Sequence, residues 1–280
     1  MIGPYFWRDR ELRPIAEAVV PADDINFAYG FGVYETMKVR AGLLYFAERH
    51  TTRLLDSARI IELEHAFTQE LLLHALAELC RANALDNANV KLLLIGGDTA
   101  ADAKLYIMAL APLFLSRRNY RDGVAVITVE AERAYPQAKS LSMLTSTIAY
   151  RRARAAGAYD AVLQNRDGLI TEGTRTNLFY TDGTRLFTPP AEQVLSGVTR
   201  ATVIESVTEA GYQVEERELA AAELHRFTGL FLTSSSSKVV PVGSINAEER
   251  HIPDIVHAVA RVYNDYLSAY RKRLEAAAGR

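Results

Sequence analysis

Apolar runs of strand length, interleaved with amphipathic helical stretches, extend along nearly the whole chain and are interrupted once by a charged, polar segment. Phe31 to Arg40 alternates as a strand does, Ala41-Gly42 reads as a turn, and Leu43 to Phe46 reads as the returning strand. Ala47 to Ile61 carries Leu54, Ala58 and Ile61 on one helical stripe, and Thr68 caps a second helix reaching Ala84. Val90 to Ile95 and Lys104 to Leu110 are strands joined by GGDTAADA. The interruption is Ser116 to Asp122, SRRNYRD, read as a linker. Beyond it come a strand at Val124–Val129, a helix at Ser140–Ala156, and short strands at Tyr159–Gln164, Leu169–Thr171 and Thr176–Tyr180. The first two of these short strands are joined by the hairpin turn Asn165 to Gly168. A helix over Thr199–Ala210 ends at Gly211, two strands flank a serine run, and a charged helix spans His251 to Ala278. This pattern predicts an α+β chain of two domains, residues 1–115 and 123–280, joined by a linker over 116–122.

With 280 residues, 49% of them hydrophobic, two cores can be filled. The net charge of −2 gives no footprint for nucleic acid or an anionic membrane. No apolar run approaches the roughly 18 residues that span a bilayer. Met1 to Tyr5 lacks a basic-then-apolar pattern, and the lone cysteine, Cys80, lies in an apolar helix where it packs as a small hydrophobe. A reducing, cytoplasmic location is expected. The six histidines show no ligand spacing, so no metal is assigned. G-x-S-x-G, a P-loop and G-x-G-x-x-G are absent, and Gly30 and Gly32 in FAYGFGVYE open a strand rather than a helix.

Only six lysines stand among 32 basic residues, which narrows any covalent-lysine chemistry to few candidates. Lys139 precedes an apolar, hydroxyl-rich stretch, and Glu172 ends a short strand before Gly173. An amine bonded to an aldehyde carbon and a carboxylate at a pyridine nitrogen are the two protein groups a pyridoxal ring most needs. Leu195-Ser196-Gly197-Val198-Thr199-Arg200 leads into a helix whose first N–H groups can face an anion, and Thr233 to Ser237 can nest a phosphate or carboxylate. Arg53 on its helix can grip a phosphate. Each feature also has a plain reading: a surface lysine, a solvated glutamate or arginine, an empty capped helix, a polar turn.

Taken in order, the blocks FAYGFGVYETMKV, ERHTTRLLDSA, AKSLSML, LITEGTRTNLF with LSGVTR, and FLTSSSSKVVPV resemble the class IV (fold-type IV) pyridoxal-phosphate aminotransferases. That family includes branched-chain and D-amino-acid aminotransferases and aminodeoxychorismate lyases. The resemblance runs from about Asp24 to about Ile245. It implies a small N-terminal α/β domain, a larger C-terminal domain with a barrel-like β core, pyridoxal 5′-phosphate lying between them, and a homodimer. It also implies Lys139 as the Schiff-base lysine and proton shuttle and Glu172 as the partner of the pyridine nitrogen. Arg53, Val198, Thr199 and Ser235 become phosphate ligands, and Leu195 packs on the ring. Tyr34 is placed at the substrate pocket, where Lys38 and Thr36 share its strand face.

The implied reaction moves an amino group from an amino donor to a 2-oxo acid by a ping-pong mechanism. A lyase of the aminodeoxychorismate type and a cofactor-binding protein without activity remain as rivals. Two departures bear on substrate. GGDTAADA lacks the arginine and histidine with which D-amino-acid aminotransferases hold the substrate carboxylate, and Leu144 stands where branched-chain enzymes carry tyrosine. A buried carboxylate needs replacement donors, for which Lys38 and the serine loop around Ser236 are the candidates.

Overall fold

The computed structural model describes residues 1–112, 114–277 and 279. The chain divides into two compact units, one of residues 1–113 and 138–143, the other of 114–137 and 144–280.

The first unit is built on a six-stranded sheet in the order β2-β1-β6-β5-β3-β4. Its strands are β1 (Tyr5–Arg8), β2 (Glu11–Pro14), β3 (Gly32–Arg40), β4 (Leu43–Leu44), β5 (Ala88–Ile95) and β6 (Lys104–Leu110). Helix α1 (Ile25–Ala28) precedes β3, and α2 (Ala47–Ile60) and α3 (Gln69–Ala82) cover one face. Alternation in β3 sends Val33, Met37 and Val39 into this core, where they meet Leu54 and Ala58 of α2 and Leu72, Leu76 and Leu79 of α3. Burying large aliphatic side chains of this kind contributes roughly 1.5–3 kcal/mol each.

The helix expected from Ser140 begins only at Leu144. Residues 139–141 are extended: Tyr34 N–H donates to the Lys139 carbonyl, Leu141 N–H donates to the Gly32 carbonyl, and Val33 bridges Ser140. Gly32 permits this approach, because a Cβ there would lie 2.6 Å from the Leu94 carbonyl and 2.7 Å from Leu141. A strand edge with unpaired backbone groups thus recruits a segment whose composition alone suits a helix.

The second unit holds β7 (Val124–Glu130), β8 (Asp160–Gln164), β9 (Leu169–Gly173), β10 (Asn177–Thr181), β11 (Leu186–Thr188), β12 (Val214–Glu216), β13 (Leu219–Ala220), β14 (Gly229–Ser234), β15 (Lys238–Ile245) and β16 (Glu248–Glu249). Strands β10-β14-β15-β7-β8-β9 run side by side, and the pairing of Glu172 with Asn177 joins β9 back to β10. Six strands therefore close into a barrel, with Val126, Val162, Ile170, Leu178, Leu232 and Val240 in its core.

Around it stand α4 (Arg117–Asp122), α5 (Leu144–Ala155), α6 (Val198–Glu209) and α7 (Asp254–Ala277). The segment expected as a linker is the short helix α4, because Ser116 and Asn119 cap it reciprocally. The terminal helix was expected to reach Ala278, which lies outside the described residues. Among the described residues no helix is long and apolar enough to cross a membrane, and no cluster of side chains suits a metal ion.

Candidate active site

In the first unit, extended pairing with β3 places Lys139 beside Tyr34. The Lys139 Nζ lies 4.6 Å from the centre of the Tyr34 ring, and its backbone N–H donates to Ser57 Oγ of α2 at 3.1 Å. Lys91, whose residue pairs with Thr36 across β5 and β3, brings a second ammonium to 5.5 Å from the same ring. The Tyr34 hydroxyl meets Met143 Sδ at 3.6 Å. Tyr34, Thr36 and Lys38 share a strand face, as alternation requires. Lys38 is buried, and burial together with the charge of Arg40 lowers its pKa. Lys91 lies within the strand run Val90 to Ile95 and carries no local signal of a site; its register opposite Thr36 is a non-local fact.

On the opposite face of β3, Glu35 is completely buried and organises two residues of α2. Arg53 donates from Nε to Oε1 at 2.6 Å and from Nη2 to Oε2 at 2.8 Å. His50 Nδ1 lies 2.8 Å from Oε2, and the Thr36 N–H donates to the same oxygen at 3.1 Å. Burial alone would raise the Glu35 pKa, but the charge of Arg53 and the contact with His50 outweigh it and hold the carboxyl well below its usual range. Burial keeps His50 neutral, lowering its pKa against the pull of Glu35. Arg53 is therefore held rigidly as one arm of a bidentate pair.

The segment GGDTAADA lines an open depression of about 650 Å³ in the first unit together with Asp9, Asp24 and Lys104. Aspartates dominate it, and the Lys104 ammonium is paired with Asp24 at 2.7 Å.

In the second unit, Glu172 sits at the barrel's closing seam and is buried. Its Oε1 accepts from Arg133 Nη1 at 2.6 Å, and its Oε2 accepts from the Leu195 N–H at 3.1 Å and from Asn177 Nδ2 at 3.4 Å. Asn177 Nδ2 also donates to the Leu195 carbonyl at 2.9 Å. Buried Asp160 takes hydrogen bonds from the Thr174 and Thr176 hydroxyls and so shapes the turn between Glu172 and Asn177. Neither Arg133 nor Asn177 carries a local signal of its own: Asn177 stands in a strand run within the block LITEGTRTNLF, and Arg133 lies in a loop without periodicity.

Gly197 is the N-cap of α6, and no side chain caps it. A Cβ here would fall 1.9 Å from Asn177 Oδ1, so a larger residue would displace the amide that links Leu195 and Glu172. Val198 and Thr199, both buried, form the first turn, which contains no acidic residue. Nearby in the sheet, Thr233 pairs with Asn177 and presents a buried hydroxyl without a hydrogen-bond partner. Ser235 and Ser236 occupy the following turn, half-buried. That turn is braced by Ser234 and Ser237, whose hydroxyls lie 2.7 Å apart, and by Tyr159 OH, 3.1 Å from Ser237 Oγ. An orphaned hydroxyl and an uncapped helix start are complementary to a phosphate.

The closed six-strand barrel and the smaller α/β unit are those of the fold-type IV architecture. The chain belongs to the class IV aminotransferases: the family model described as amino-transferase class IV matches residues 32–245. A putative branched-chain-amino-acid aminotransferase of Methanocaldococcus jannaschii is 32% identical over 245 residues, which is 82% of this chain and 84% of that protein. A D-alanine aminotransferase of Bacillus licheniformis is 30% identical over 243 residues, 83% of this chain and 85% of that one. Among solved structures, the branched-chain aminotransferase of Thermoproteus uzoniensis with norvaline superposes with a TM-score of 0.88 at 25% identity, covering 98% of this chain and 97% of the other. The cofactor of the family is pyridoxal 5′-phosphate.

Proposed function

We propose that this enzyme moves an amino group between an amino acid, of the D- or branched-chain type, and a 2-oxo acid in two half-reactions. The observation that carries the reading is the Lys139 amine set against the Tyr34 ring by strand pairing, 4.6 Å from its centre. Lys139 would hold the cofactor covalently, and its amine would take the proton from the substrate Cα. Glu172 holds the proton at the ring nitrogen. When bound, the cofactor supplies an electron sink for the carbanion at that carbon. Leu195 would pack against the ring. The start of α6 at Val198 and Thr199 and the Thr233 and Ser235 hydroxyls would hold the phosphate, a role proposed for Arg53 as well.

Tyr34 bounds the substrate pocket, with Lys38 and the N–H groups around Ser236 as carboxylate donors. Lys91 joins them, since it reaches the same ring as Lys139. A cation is the economical partner here, because a desolvated carboxylate without one is costly.

Initial rates measured against varied amino donor at several fixed 2-oxo acid concentrations are expected to give parallel double-reciprocal lines, as two half-reactions require. The donor panel comprises L-amino acids, D-amino acids and simple amines. Intersecting lines would exclude the ping-pong order. Release of pyruvate from a donor without any acceptor would instead assign a lyase.

A homodimer in the cytoplasm completes the proposal. Val19, Ile25, Phe27 and Tyr29 are all exposed on the first unit, an apolar concentration that a second copy would cover. Sedimentation equilibrium should return twice the chain mass, and Phe27→Asp should shift it toward the single-chain value. A monomer at micromolar concentration would refute this part.

A further inference from the structure

Glu172 does not stand alone in its buried place. The Arg133 guanidinium contacts Oε1 at 2.6 Å and is itself fixed by its own loop, donating to the Pro136 carbonyl at 2.9 Å and the Tyr135 carbonyl at 3.4 Å. Both partners are largely withdrawn from water, with side-chain exposures of 14% and 6%. A carboxylate desolvated to that degree would take up a proton rather than remain charged without a cation beside it. On the other side, Oε2 is tied to the Leu195 N–H, and Asn177 links the same loop to the start of α6 through its contact with the Leu195 carbonyl. The arginine therefore does two things at once. A guanidinium in that position favours the charged form of a carboxyl, and the contact sets the orientation of the carboxyl plane.

We propose that Arg133 is a positioning residue for the cofactor's ring nitrogen, acting through Glu172. This rests on the reading of Glu172 as the partner of that nitrogen. The physical reasoning is direct. A protonated carboxyl cannot hold a second proton at a pyridine nitrogen, so whatever keeps Glu172 charged determines how firmly a pyridinium is bound. A guanidinium in contact with one oxygen does this without occupying the whole carboxylate, since each oxygen offers two lone-pair directions. It also draws some negative charge away from the acid, yet ionisation decides the sign: a charged acceptor in a hydrogen bond is worth roughly twice a neutral one. Arg133 stands six residues before Lys139 in the chain, so one loop carries both the group that sets the acid and the approach to the reactive amine.

The test separates the ring nitrogen from the rest of the cofactor. Cofactor-stripped protein is titrated calorimetrically with pyridoxal 5′-phosphate and with its 1-deaza analogue, in which CH replaces the ring nitrogen. Relative to the unsubstituted enzyme, Arg133→Gln is expected to weaken the natural cofactor roughly ten- to a hundredfold, the range for a lost charged hydrogen bond, and the analogue less than about threefold. Arg133→Lys, which restores the charge but not the fork, is expected to fall between. Equal weakening of both ligands, or of neither, overturns the proposal, because a merely structural arginine does not distinguish CH from N. If Arg133→Gln does not fold, Arg133→Lys carries the same comparison: a partial, nitrogen-dependent loss supports the proposal, and an unchanged ratio overturns it. Glu172→Gln is the control for the underlying reading. If it leaves the ratio of the two affinities unchanged, the assignment of Glu172 itself fails. If it collapses the ratio while Arg133→Gln does not, only the role of Arg133 fails.

Discussion

Lys139→Ala is expected to lower turnover by on the order of 10⁴-fold or more and to abolish the visible absorption of lysine-bound cofactor. The magnitude follows from the two roles proposed for its one nitrogen: the covalent attachment point, and the base that moves the Cα proton, for which general-base losses alone reach about 10²–10⁴-fold. The substitution should spare the fold. What anchors residue 139 is backbone, its N–H on Ser57 Oγ and its carbonyl on the Tyr34 N–H. The side chain contributes a contact with the Tyr34 ring, a cation–π interaction worth about 0.5–1 kcal/mol where exposed. Lys139→Arg separates these contributions, since it keeps a cation near the ring but offers no amine to the aldehyde. Both variants should be equally inactive, while Arg alone retains the native melting temperature. Rapid kinetics and absorption spectra of purified protein decide the matter. Turnover of Lys139→Ala within tenfold of the unsubstituted enzyme would remove Lys139 from the chemistry.

The order of blocks along the chain made the family legible before any coordinate, because each block carries its own local signature: a strand alternation, a helix start, a serine turn. The partners of those blocks were not legible, because they are made across long sequence separations. Lys139 reads locally as the residue before a helix, yet the edge of β3 draws residues 139–141 into extended pairing. Alternation correctly put Tyr34, Thr36 and Lys38 on one face but could not reveal that Lys38 is buried, or that Lys91 reaches the same ring. The hairpin of β1 and β2 has no local signal, because its turn uses Asp9 and Arg10 at positive φ, 47° and 86°, where a glycine or asparagine usually marks the bend. The barrel's closure hangs on the pairing of Glu172 with Asn177, which no periodicity announces. Composition misled at residues 116–122, where polarity suggested a linker and the Ser116 and Asn119 capping pair makes a helix.

The largest stability effect is expected at Glu35 rather than at any residue that the family blocks single out for chemistry. Glu35→Ala leaves Arg53 and His50 facing an empty, buried place where a carboxylate met both. Breaking a buried pair by removing one partner costs about 3–5 kcal/mol, because the remaining charge is desolvated without compensation. For a protein of this size that corresponds to a fall in melting temperature on the order of 10 °C. The phosphate contact proposed for Arg53 should weaken with it, since Arg53 loses the bidentate contact that fixes its guanidinium. Glu35→Gln preserves shape and one acceptor and should cost less than Glu35→Ala.

The dependence on pH has a definite sign. The folded pKa of Glu35 is depressed, so its contribution is complete above the ordinary glutamate range and is lost only as pH falls toward the folded value. His50 adds a second slope of the same sign. Its folded pKa is also depressed, so below about pH 6.5 the unfolded chain binds a proton that the folded one refuses, and stability declines with acidification by at most about 1.4 kcal/mol per pH unit. Denaturant melts of the unsubstituted protein and of Glu35→Ala at pH 8 and pH 7 should therefore show one constant gap. The gap should widen toward pH 5.5, because Glu35 is the group that raises the His50 pKa against burial, and without it the imidazole refuses the proton more strongly. A gap below about 1 kcal/mol at pH 7 would mean that the buried carboxylate is not what holds Arg53 and His50 in place.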